Sequence, residues 1–520
     1  MNNTDTFFKT IAEGNTFKGD FITLGAAMRN GETLKNAYVN VPLKTMNRHG
    51  LIAGATGTGK TKTLQVLAEN LSEKGIPVLL MDVKGDLSGL AKPSPGHSKI
   101  DERHNKIGLP FTAKAFPVEL MTLSEQGGVR LRATISEFGP VLISRLLNVT
   151  ETQAGIISVI FKYCDDNKLP LLDLKDFKKI LQYATGNGRA EFEEHYGRIS
   201  AASTGAILRK LIEIEQQGGD LFFGETSFDT QDLLRIDENG RGYINILRLT
   251  DIQDKPKLFS TFMLSLLAEI YSTFPEQGDS GRPELILFID EAHLIFKEAS
   301  DALLDQIESI VKLIRSKGVG LYFVTQNPTD VPEAVLGQLG LKVQHALRAF
   351  TAKDRKAIKL TAQNYPDTEY YDTAEVLTSL GIGEALVSAL DEKGKPTPLA
   401  ATMMRAPMSR MDILTEVELS HLLAQSQLAK KYNKTLDRES AYEMLNKKIE
   451  QADAAEAKQK AKEEKDALER EAKKQRLREE KSRSRSRSRT TSSRPSPLMK
   501  VLTSPTVIRS VLGILTKLIK

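Results

Sequence analysis

Residues 54–61 decide the fold of this chain and read Gly54-Ala55-Thr56-Gly57-Thr58-Gly59-Lys60-Thr61. The pattern is G-x-x-x-x-G-K-[S/T], in which glycines let backbone N–H groups turn inward around a phosphate without Cβ collisions. A short apolar run at residues 49–53 precedes the loop, and residues 61–74 carry leucines and valine at helical spacing. Strand, glycine loop and helix in this order predict a phosphate-binding loop whose helix directs its positive end at an anion.

The residues of this loop are the predicted ligands of a nucleoside triphosphate. Lys60 is expected to neutralise charge on the β- and γ-phosphates, and the Thr61 hydroxyl to coordinate Mg²⁺. The full set that we expect to bind ATP is Gly54, Ala55, Thr56, Gly57, Thr58, Gly59, Lys60, Thr61 and Lys62.

A second motif carries the predicted hydrolytic chemistry. Five apolar residues, 285–289, end in the acidic pair Asp290-Glu291. A buried strand would deliver Asp290 beside the phosphate loop, where it would hold the water shell of Mg²⁺. Glu291, one residue further on, is expected to orient or deprotonate the attacking water.

With the two residues that follow it, the acidic pair forms the sequence Asp290-Glu291-Ala292-His293, which is also the acidic motif of one helicase superfamily. The Ser-Ala-Thr and Gln-x-x-Gly-Arg-x-x-Arg elements of those helicases are absent from the sequence, and no second RecA-like domain follows residue 410. We therefore interpret His293 as a polar neighbour of the site. The seven histidines show no metal-binding spacing, so no zinc site is predicted.

Further candidates follow from the strand predicted at residues 320–325. Gln326 ends this strand and is expected to touch the γ-phosphate. Arg315, just before it, and Arg348, on a strand predicted at 343–350, are alternative candidates for an arginine that acts on the nucleotide of a neighbouring subunit. Asp82, at the end of the strand at 78–81, is a candidate second-layer polar group.

Strands alternate with helices around these motifs, which predicts an α/β fold: a P-loop NTPase with a mostly parallel sheet and helices on both faces. We divide the chain into a short N-terminal β segment at 1–45, an ATPase core at 46–90 and 241–408, a mostly helical insertion at 91–240, a helical charged extension at 409–481, and a basic Ser/Arg tract with an amphipathic terminal stretch at 482–520.

Composition narrows the remaining possibilities. The chain carries a net charge of +5, but residues 483–520 hold nine Lys/Arg and no acid, so the other 482 residues carry −4. The apparent basicity therefore belongs to the tail. A single cysteine, Cys164, excludes an intrachain disulfide and fits a reducing compartment. No signal peptide and no membrane-spanning run are visible, so we expect a cytoplasmic protein.

The motifs together resemble the HerA–FtsK superfamily of ring-forming ATPases, and most of all bacterial proteins with a HerA-like helicase C-terminal domain. The resemblance covers about residues 40–405 and rests on four stretches: residues 48–61, Asp82-Val83-Lys84-Gly85-Asp86, residues 288–293, and residues 315–328. It implies a RecA/HerA-like sheet, hexameric rings with ATP sites between subunits, an arginine supplied in trans and, in some members, translocation on double-stranded DNA.

Two departures limit what the resemblance implies. About 45 residues precede the ATPase portion, too few for a full N-terminal barrel, and no winged-helix DNA reader is visible after it. DNA translocation is thus implied by the relatives and not by residues of this sequence. Three functions stay open: a motor acting on nucleic acid as a helicase or DNA translocase, a secretion-type ATPase acting on protein, and a nucleotide-gated scaffold with little turnover.

The tail adds a prediction about partners. Residues 482–489 alternate Ser and Arg, a pattern that would bind an anionic polymer by charge alone. Residues 506–520 are apolar and basic, and such a stretch can lie on an anionic membrane surface or pack against a partner.

Among the three open functions, Glu291 argues against the nucleotide-gated scaffold, since a switch that does not hydrolyse ATP needs no water-orienting carboxylate.

Overall fold

A computed structural model of the chain describes residues 3–252, 255–278, 280–296, 301–434, 436 and 438–486. One twelve-stranded sheet organises the described residues. Its strands are β1 (Phe21–Arg29), β2 (Glu32–Pro42), β3 (Gly50–Ala53), β4 (Val78–Asp82), β5 (Val118–Thr122), β6 (Val129–Arg130), β7 (Ile244–Arg248), β8 (Leu285–Ile289), β9 (Val319–Thr325), β10 (Leu341–His345), β11 (Glu384–Ser388) and β12 (Ala400–Met404).

The strand order is β2-β1-β12-β11-β10-β3-β9-β8-β4-β7-β5-β6. From β10 to β6 all neighbours are parallel, and from β10 to β2 all are antiparallel. Every residue of β3, β4, β8 and β9 is buried. Parallel strands covered on both faces need such continuous apolar runs, which confirms the predicted α/β fold with a mostly parallel sheet.

Helices surround this sheet and fill the long segment between β6 and β7. The α-helices of the described residues are α1 (Asn3–Gly14), α2 (Lys60–Glu73), α3 (Ser98–Ile107), α4 (Ile135–Leu146), α5 (Glu151–Asp166), α6 (Leu174–Thr185), α7 (Arg189–His195), α8 (Ala201–Gln216), α9 (Gly219–Phe222), α10 (Pro256–Thr273), α11 (His293–Phe296), α12 (Asp301–Leu313), α13 (Glu333–Leu336), α14 (Ala352–Ala362), α15 (Thr373–Ser379), α16 (Glu416–Gln425), α17 (Gln427–Tyr432) and α18 (Ala441–Ser486).

The first 45 residues continue the twelve-stranded sheet. The expected short strands are parts of a long hairpin, β1–β2, whose turn residues Asn30 and Gly31 both have positive φ, as a tight hairpin turn requires. β1 also pairs with β12, which joins the hairpin to the antiparallel end of the sheet. Helix α1 was not expected; it buries Phe7 and Ile11 completely.

The segment predicted as a mostly helical insertion also supplies sheet strands. Helices α4 to α9 lie within residues 91–240, as expected. However, β5 pairs in parallel with β7, so residues 118–122 extend the twelve-stranded sheet. Periodicity could not reveal this, because a five-residue apolar run without its neighbours does not say which sheet it joins.

The chain divides into two compact units, Met1–Asn446 and Lys447–Lys520. In the first unit, buried Glu69 of α2 accepts hydrogen bonds from the backbone of Met408 and Ser409, at 2.7 and 2.9 Å, and so secures the chain where the sheet ends. In the second unit, as far as the structure describes it, the rest of α18 is almost entirely exposed.

The predicted amphipathic stretch at 506–520 lies outside the described residues, as do residues 487–489 of the Ser/Arg tract. Among the helices that the structure does describe, none is both long and apolar enough to cross a membrane.

Candidate nucleotide site

The phosphate loop and the acidic pair leave the sheet at the same edge. Strands β3, β9, β8 and β4 are consecutive neighbours, and all of them are parallel. Ala53 pairs with Thr325, and Ile289 pairs with both Phe323 and Met81. The residues that follow these strand ends therefore emerge side by side. The structure thus brings together Lys60, Asp82, Asp290, Glu291 and Gln326 from distant parts of the sequence.

The loop takes a conformation that needs glycine at its two ends. Gly54 and Gly59 have φ values of 151° and 120°. A Cβ on Gly54 would lie 2.5 Å from the Cβ of His345, and one on Gly59 would lie 3.2 Å from the Cα of Gly383. Helix α2 begins at Lys60, so its free N–H groups face the concavity of the loop.

Lys60 reaches back across the loop that it follows. Its Nζ donates to the carbonyl oxygens of Gly54 at 2.7 Å and Ala55 at 3.1 Å. Burial, together with the neighbouring ammonium of Lys84, lowers the pKa of Lys60, while Glu291 and Asp290 oppose this effect. Lys60 therefore lies close enough to the acidic pair for their charges to interact.

The acidic pair sits in a strained turn after β8. Glu291 has a φ of 48°, the left-handed region that a residue with a side chain seldom adopts, and its N–H donates to its neighbour Asp290 Oδ1 at 2.9 Å. Burial raises the pKa of Asp290 to about 6, and the negative charge of Glu291 adds to the rise. Strain and a displaced pKa often mark functional sites.

Lys84 is a site residue to which sequence reasoning assigned no role. Its Nζ lies 2.7 Å from Glu291 Oε1. Burial alone would raise the pKa of Glu291, but Lys84, His293 and Gln326 outweigh it and hold that pKa below its usual range. The signal was available in the stretch Asp82-Val83-Lys84-Gly85-Asp86, which follows a strand at the same sheet edge.

The Asp82 side chain stabilises the turn that follows β4. Its Oδ1 accepts from the N–H groups of Gly85 at 2.6 Å and Asp86 at 3.2 Å, and its Oδ2 from Leu87 at 3.2 Å. Burial raises the pKa of Asp82 to about 6. The carboxylate therefore folds the turn that carries Lys84.

A largely apolar cavity of about 210 Å³ opens beside the first turn of α2. Ile100, Ile382 and Met404 line it, with Lys62 at its border. Lys62 Nζ donates to the Met411 carbonyl at 2.6 Å. The predicted ligand Lys62 thus lies next to the phosphate loop and at the margin of this largely apolar cavity.

The two candidate arginines lie at opposite edges of the sheet. Arg315 precedes β9 and its charge acts on His49, which precedes β3, so it lies at the edge away from the phosphate loop. Arg348 is exposed. We predicted that it lies on a strand at 343–350, and this prediction is wrong, because β10 ends at His345. The loop of Arg348 lies at the phosphate-loop edge, where Ala55 N–H donates to the Ala346 carbonyl at 2.9 Å.

A basic surface follows this loop. We define the α14 surface by Phe350, Lys353, Arg355, Lys356 and Lys359. Phe350 is 85% exposed, and all four cations are exposed. Asp354, the acid among them, accepts N–H bonds that cap α14. Within the described residues none of these four cations forms an ion pair, so the surface keeps its positive charge.

The sequence of this chain matches a protein family and several known proteins. The model of the family described as "Helicase HerA-like C-terminal" matches residues 27–519. The DNA double-strand break repair helicase HerA of Saccharolobus solfataricus is 24% identical over 363 residues, which cover 68% of this chain and 64% of HerA. The DNA import protein CedB of Sulfolobus acidocaldarius is 24% identical over 359 residues, 68% of this chain and 52% of CedB.

A solved structure shares the fold. The bacterial conjugative coupling protein TrwBdeltaN70, in its unbound monoclinic form, aligns with a TM-score of 0.50 at 15% sequence identity, covering 78% of this chain and 94% of that one. Against HerA, the match spans a little under two thirds of the relative's length. The family match, which extends over most of the sequence, shows that this chain belongs to the helicase HerA-like C-terminal family.

Proposed function

We propose that this chain is an ATP-hydrolysing motor that acts on nucleic acid. The observation that carries the proposal is the convergence of the phosphate loop after β3 and the acidic pair after β8 at one edge of the sheet. A triphosphate with its metal needs both an amide-lined anion cradle and a carboxylate beside it.

Residues 54–62 would bind the phosphates, and Thr61 and Asp290 would hold Mg²⁺. A hydroxyl and a carboxylate are the oxygen donors that Mg²⁺ prefers, and buried Asp290 would gain from a nearby cation. Among the described residues no group of three metal-ligating side chains occurs. Two protein oxygens suit an ion that shares its ligands with substrate phosphates. When bound, Mg²⁺ would neutralise charge on the transferring phosphoryl group.

The hydrolytic step would depend on the side chains around Glu291. Its carboxylate, kept ionised by its neighbours, would orient the attacking water and accept its proton. Lys60 would balance negative charge on the phosphates, and Gln326, which interacts with Glu291, would contact the γ-phosphate. The apolar cavity beside α2 would receive the nucleobase, since it adjoins the first helical turn.

We further propose a hexameric ring in which an arginine reaches the nucleotide of the next subunit. Arg348 is the better candidate, because it is exposed at the phosphate-loop edge while Arg315 lies at the opposite one.

The single buried cysteine supports a reducing compartment, and we place the protein in the cytoplasm on that ground. The domain division at 45, 90, 240, 408 and 481 likewise remains a proposal.

The α14 surface is the proposed contact with nucleic acid. Four unpaired cations can neutralise backbone phosphates, and the exposed ring of Phe350 can pack against a base or sugar. Helix α14 packs beside the turn that follows β9, so it adjoins the segment that carries Gln326. A change at the γ-phosphate would thus reach this surface through one short turn.

The decisive experiment measures ATP hydrolysis with and without double-stranded DNA, at about 50 and about 200 mM salt, because phosphate contacts weaken steeply with salt. The full chain is compared with a truncation at residue 482, which removes the basic tail. Stimulation by DNA in both proteins supports the motor. Stimulation that disappears with the tail would assign DNA binding to residues 483–520 instead. No stimulation by any nucleic acid would favour the secretion-type alternative with a protein substrate.

A further inference from the structure

The turn after β4 places one ammonium group inside the candidate site. The Asp82 carboxylate accepts three backbone N–H bonds, from Gly85, Asp86 and Leu87. Gly85 has a φ of 77°, and a Cβ there would lie 2.9 Å from Thr250 Cγ2. A turn held this closely fixes the backbone from which the Lys84 side chain extends.

Lys84 forms an ion pair with the carboxylate of Glu291, the proposed water-orienting residue. The distance from its Nζ to Glu291 Oε1 is 2.7 Å; the lysine side chain is 37% exposed and the glutamate side chain 8%. The lysine is also close enough to Lys60 and Asp290 to affect the charge of each. The ammonium group therefore lies against the glutamate and close to the lysine that follows the phosphate loop.

A γ-phosphate would compete with Glu291 for this ammonium group. The terminal phosphate of ATP carries more negative charge than one carboxylate and offers three acceptor oxygens. ADP lacks that group and would leave the Lys84–Glu291 pair intact. A ligand shifts a conformational equilibrium only through contacts that differ between its two states. The γ-phosphate meets this condition.

We propose that Lys84 senses the γ-phosphate: without it the lysine holds Glu291, and with it the lysine moves to the phosphate and frees Glu291 to orient water. This inference rests on the proposed ATPase function. It assigns a residue and a step that discriminates ATP from ADP. Hydrolysis itself is unchanged in stoichiometry, since Lys84 exchanges one hydrogen-bond acceptor for another and transfers no proton.

The first test compares two nucleotides in the full-length protein. We expect Lys84→Met to weaken binding of a non-hydrolysable ATP analogue, AMP-PNP, about 10-fold or more, since a lost charge-assisted hydrogen bond has that magnitude. ADP affinity should stay within about twofold, and Lys84→Arg should recover part of the discrimination. Lys106→Met, an exposed lysine at the end of α3, is the matched control and should change neither affinity.

The second test uses the competition itself. Glu291→Gln removes the negative charge that pairs with Lys84 and leaves only a weaker neutral acceptor, so AMP-PNP should bind several-fold more tightly than to the wild type, with ADP unchanged. In the double variant Lys84→Met/Glu291→Gln this gain should vanish. A merely structural ion pair would weaken both nucleotides alike or lower the melting temperature without changing their ratio.

The outcomes separate this inference from the proposed function. If the wild-type chain hydrolyses ATP and Lys84→Met keeps the wild-type ratio of AMP-PNP to ADP affinity, the sensing role is wrong and the ATPase stands. If the folded wild-type chain binds neither nucleotide, both are wrong. Binding is measured by calorimetry, and folding of each variant by its melting temperature.

Discussion

His345 accepts a hydrogen bond from Thr63 Oγ1 at 2.9 Å, which joins strand β10 to the helix that follows the phosphate loop. The tautomer follows from the other ring nitrogen, because Nδ1 lies 2.9 Å from the Glu384 carbonyl and must donate to it. Nε2 is then left as the acceptor. Gly54 packs against the same residue. One neutral, buried imidazole thus supports both ends of the phosphate loop.

Replacing His345 by Gln should remove about 2 kcal/mol of acid sensitivity between pH 7 and pH 5. Burial lowers the pKa of His345 from 6.5 to about 4, so over this range the unfolded chain binds the proton more readily than the folded one. The stability contributed by the neutral ring is therefore present above pH 6.5 and lost as the pH falls toward 4. Urea unfolding of wild type and variant at both pH values measures the difference.

The wild type has to be compared with the His345→Gln variant, because other groups titrate between pH 7 and pH 5. The pKa values of Asp82 and Asp290 are raised to about 6, so their protonation favours the folded state as the pH falls and opposes the histidine effect. His49 has the same lowered pKa of about 4 as His345. All three remain in the variant. Identical pH slopes for the two proteins would show that His345 is not the group that loses stability.

Gly59→Ala should reduce ATP affinity by about 10-fold or more, because the substitution strains a φ of 120° and crowds the Gly383 backbone. Gly155→Ala is the matched control: its Cβ would meet no atom within 4 Å, and alanine in the middle of α5 should stabilise the fold by up to about 1 kcal/mol. Calorimetric titration with MgATP and thermal melting measure the two effects. Wild-type affinity in Gly59→Ala would argue against a phosphate cradle at this loop.

Sequence reasoning identified the two motifs of the candidate site because both are short and local. The loop at 54–61 and the acidic pair at 290–291 each follow an apolar strand, and parallel strands end at one edge. The contact between Lys84 and Glu291 was missed because it joins residues 207 positions apart, which no local pattern encodes.

The strand predicted at 343–350 shows a different limit. Residues 346–350 keep an apolar pattern beyond the strand, but β10 ends at His345, whose ring turns to Thr63 and the Glu384 carbonyl. Strand ends depend on such tertiary contacts. Strand pairing depends on them too, since β5 pairs with β7, which lies more than a hundred residues away.

Mixed assemblies test the arginine in trans. We expect Arg348→Ala to lower ATP turnover about 1,000-fold, as removal of a phosphoryl-stabilising arginine does. Mixing it with Lys60→Ala should restore part of the activity, since one variant keeps the phosphate loop and the other supplies the arginine. Arg315→Ala is the comparison and should keep its turnover, given its place at the far edge of the sheet. Absence of recovery on mixing would indicate that Arg348 acts in its own subunit or not at all.

Charge reversal tests the α14 surface. The double variant Lys353→Glu/Lys356→Glu should lose DNA stimulation of ATP turnover, and its DNA affinity should depend less steeply on salt, because two phosphate contacts disappear. Basal turnover should stay within about twofold. Lys458→Glu/Lys462→Glu on exposed α18 carries the same charge change. If both variants behave alike, the contact is not at α14.

The central claim is that the loop after β3 and the carboxylates after β8 serve one triphosphate, and Glu291→Gln tests it most directly. The measurement is ATP turnover beside MgATP affinity, and the control is Glu194→Gln, a substitution of an exposed glutamate on α7. We expect ATP to bind at least as tightly as to the wild type while turnover falls about 100-fold or more, as for loss of a general base, and the control to match the wild type in both. Undiminished hydrolysis by Glu291→Gln would contradict the claim.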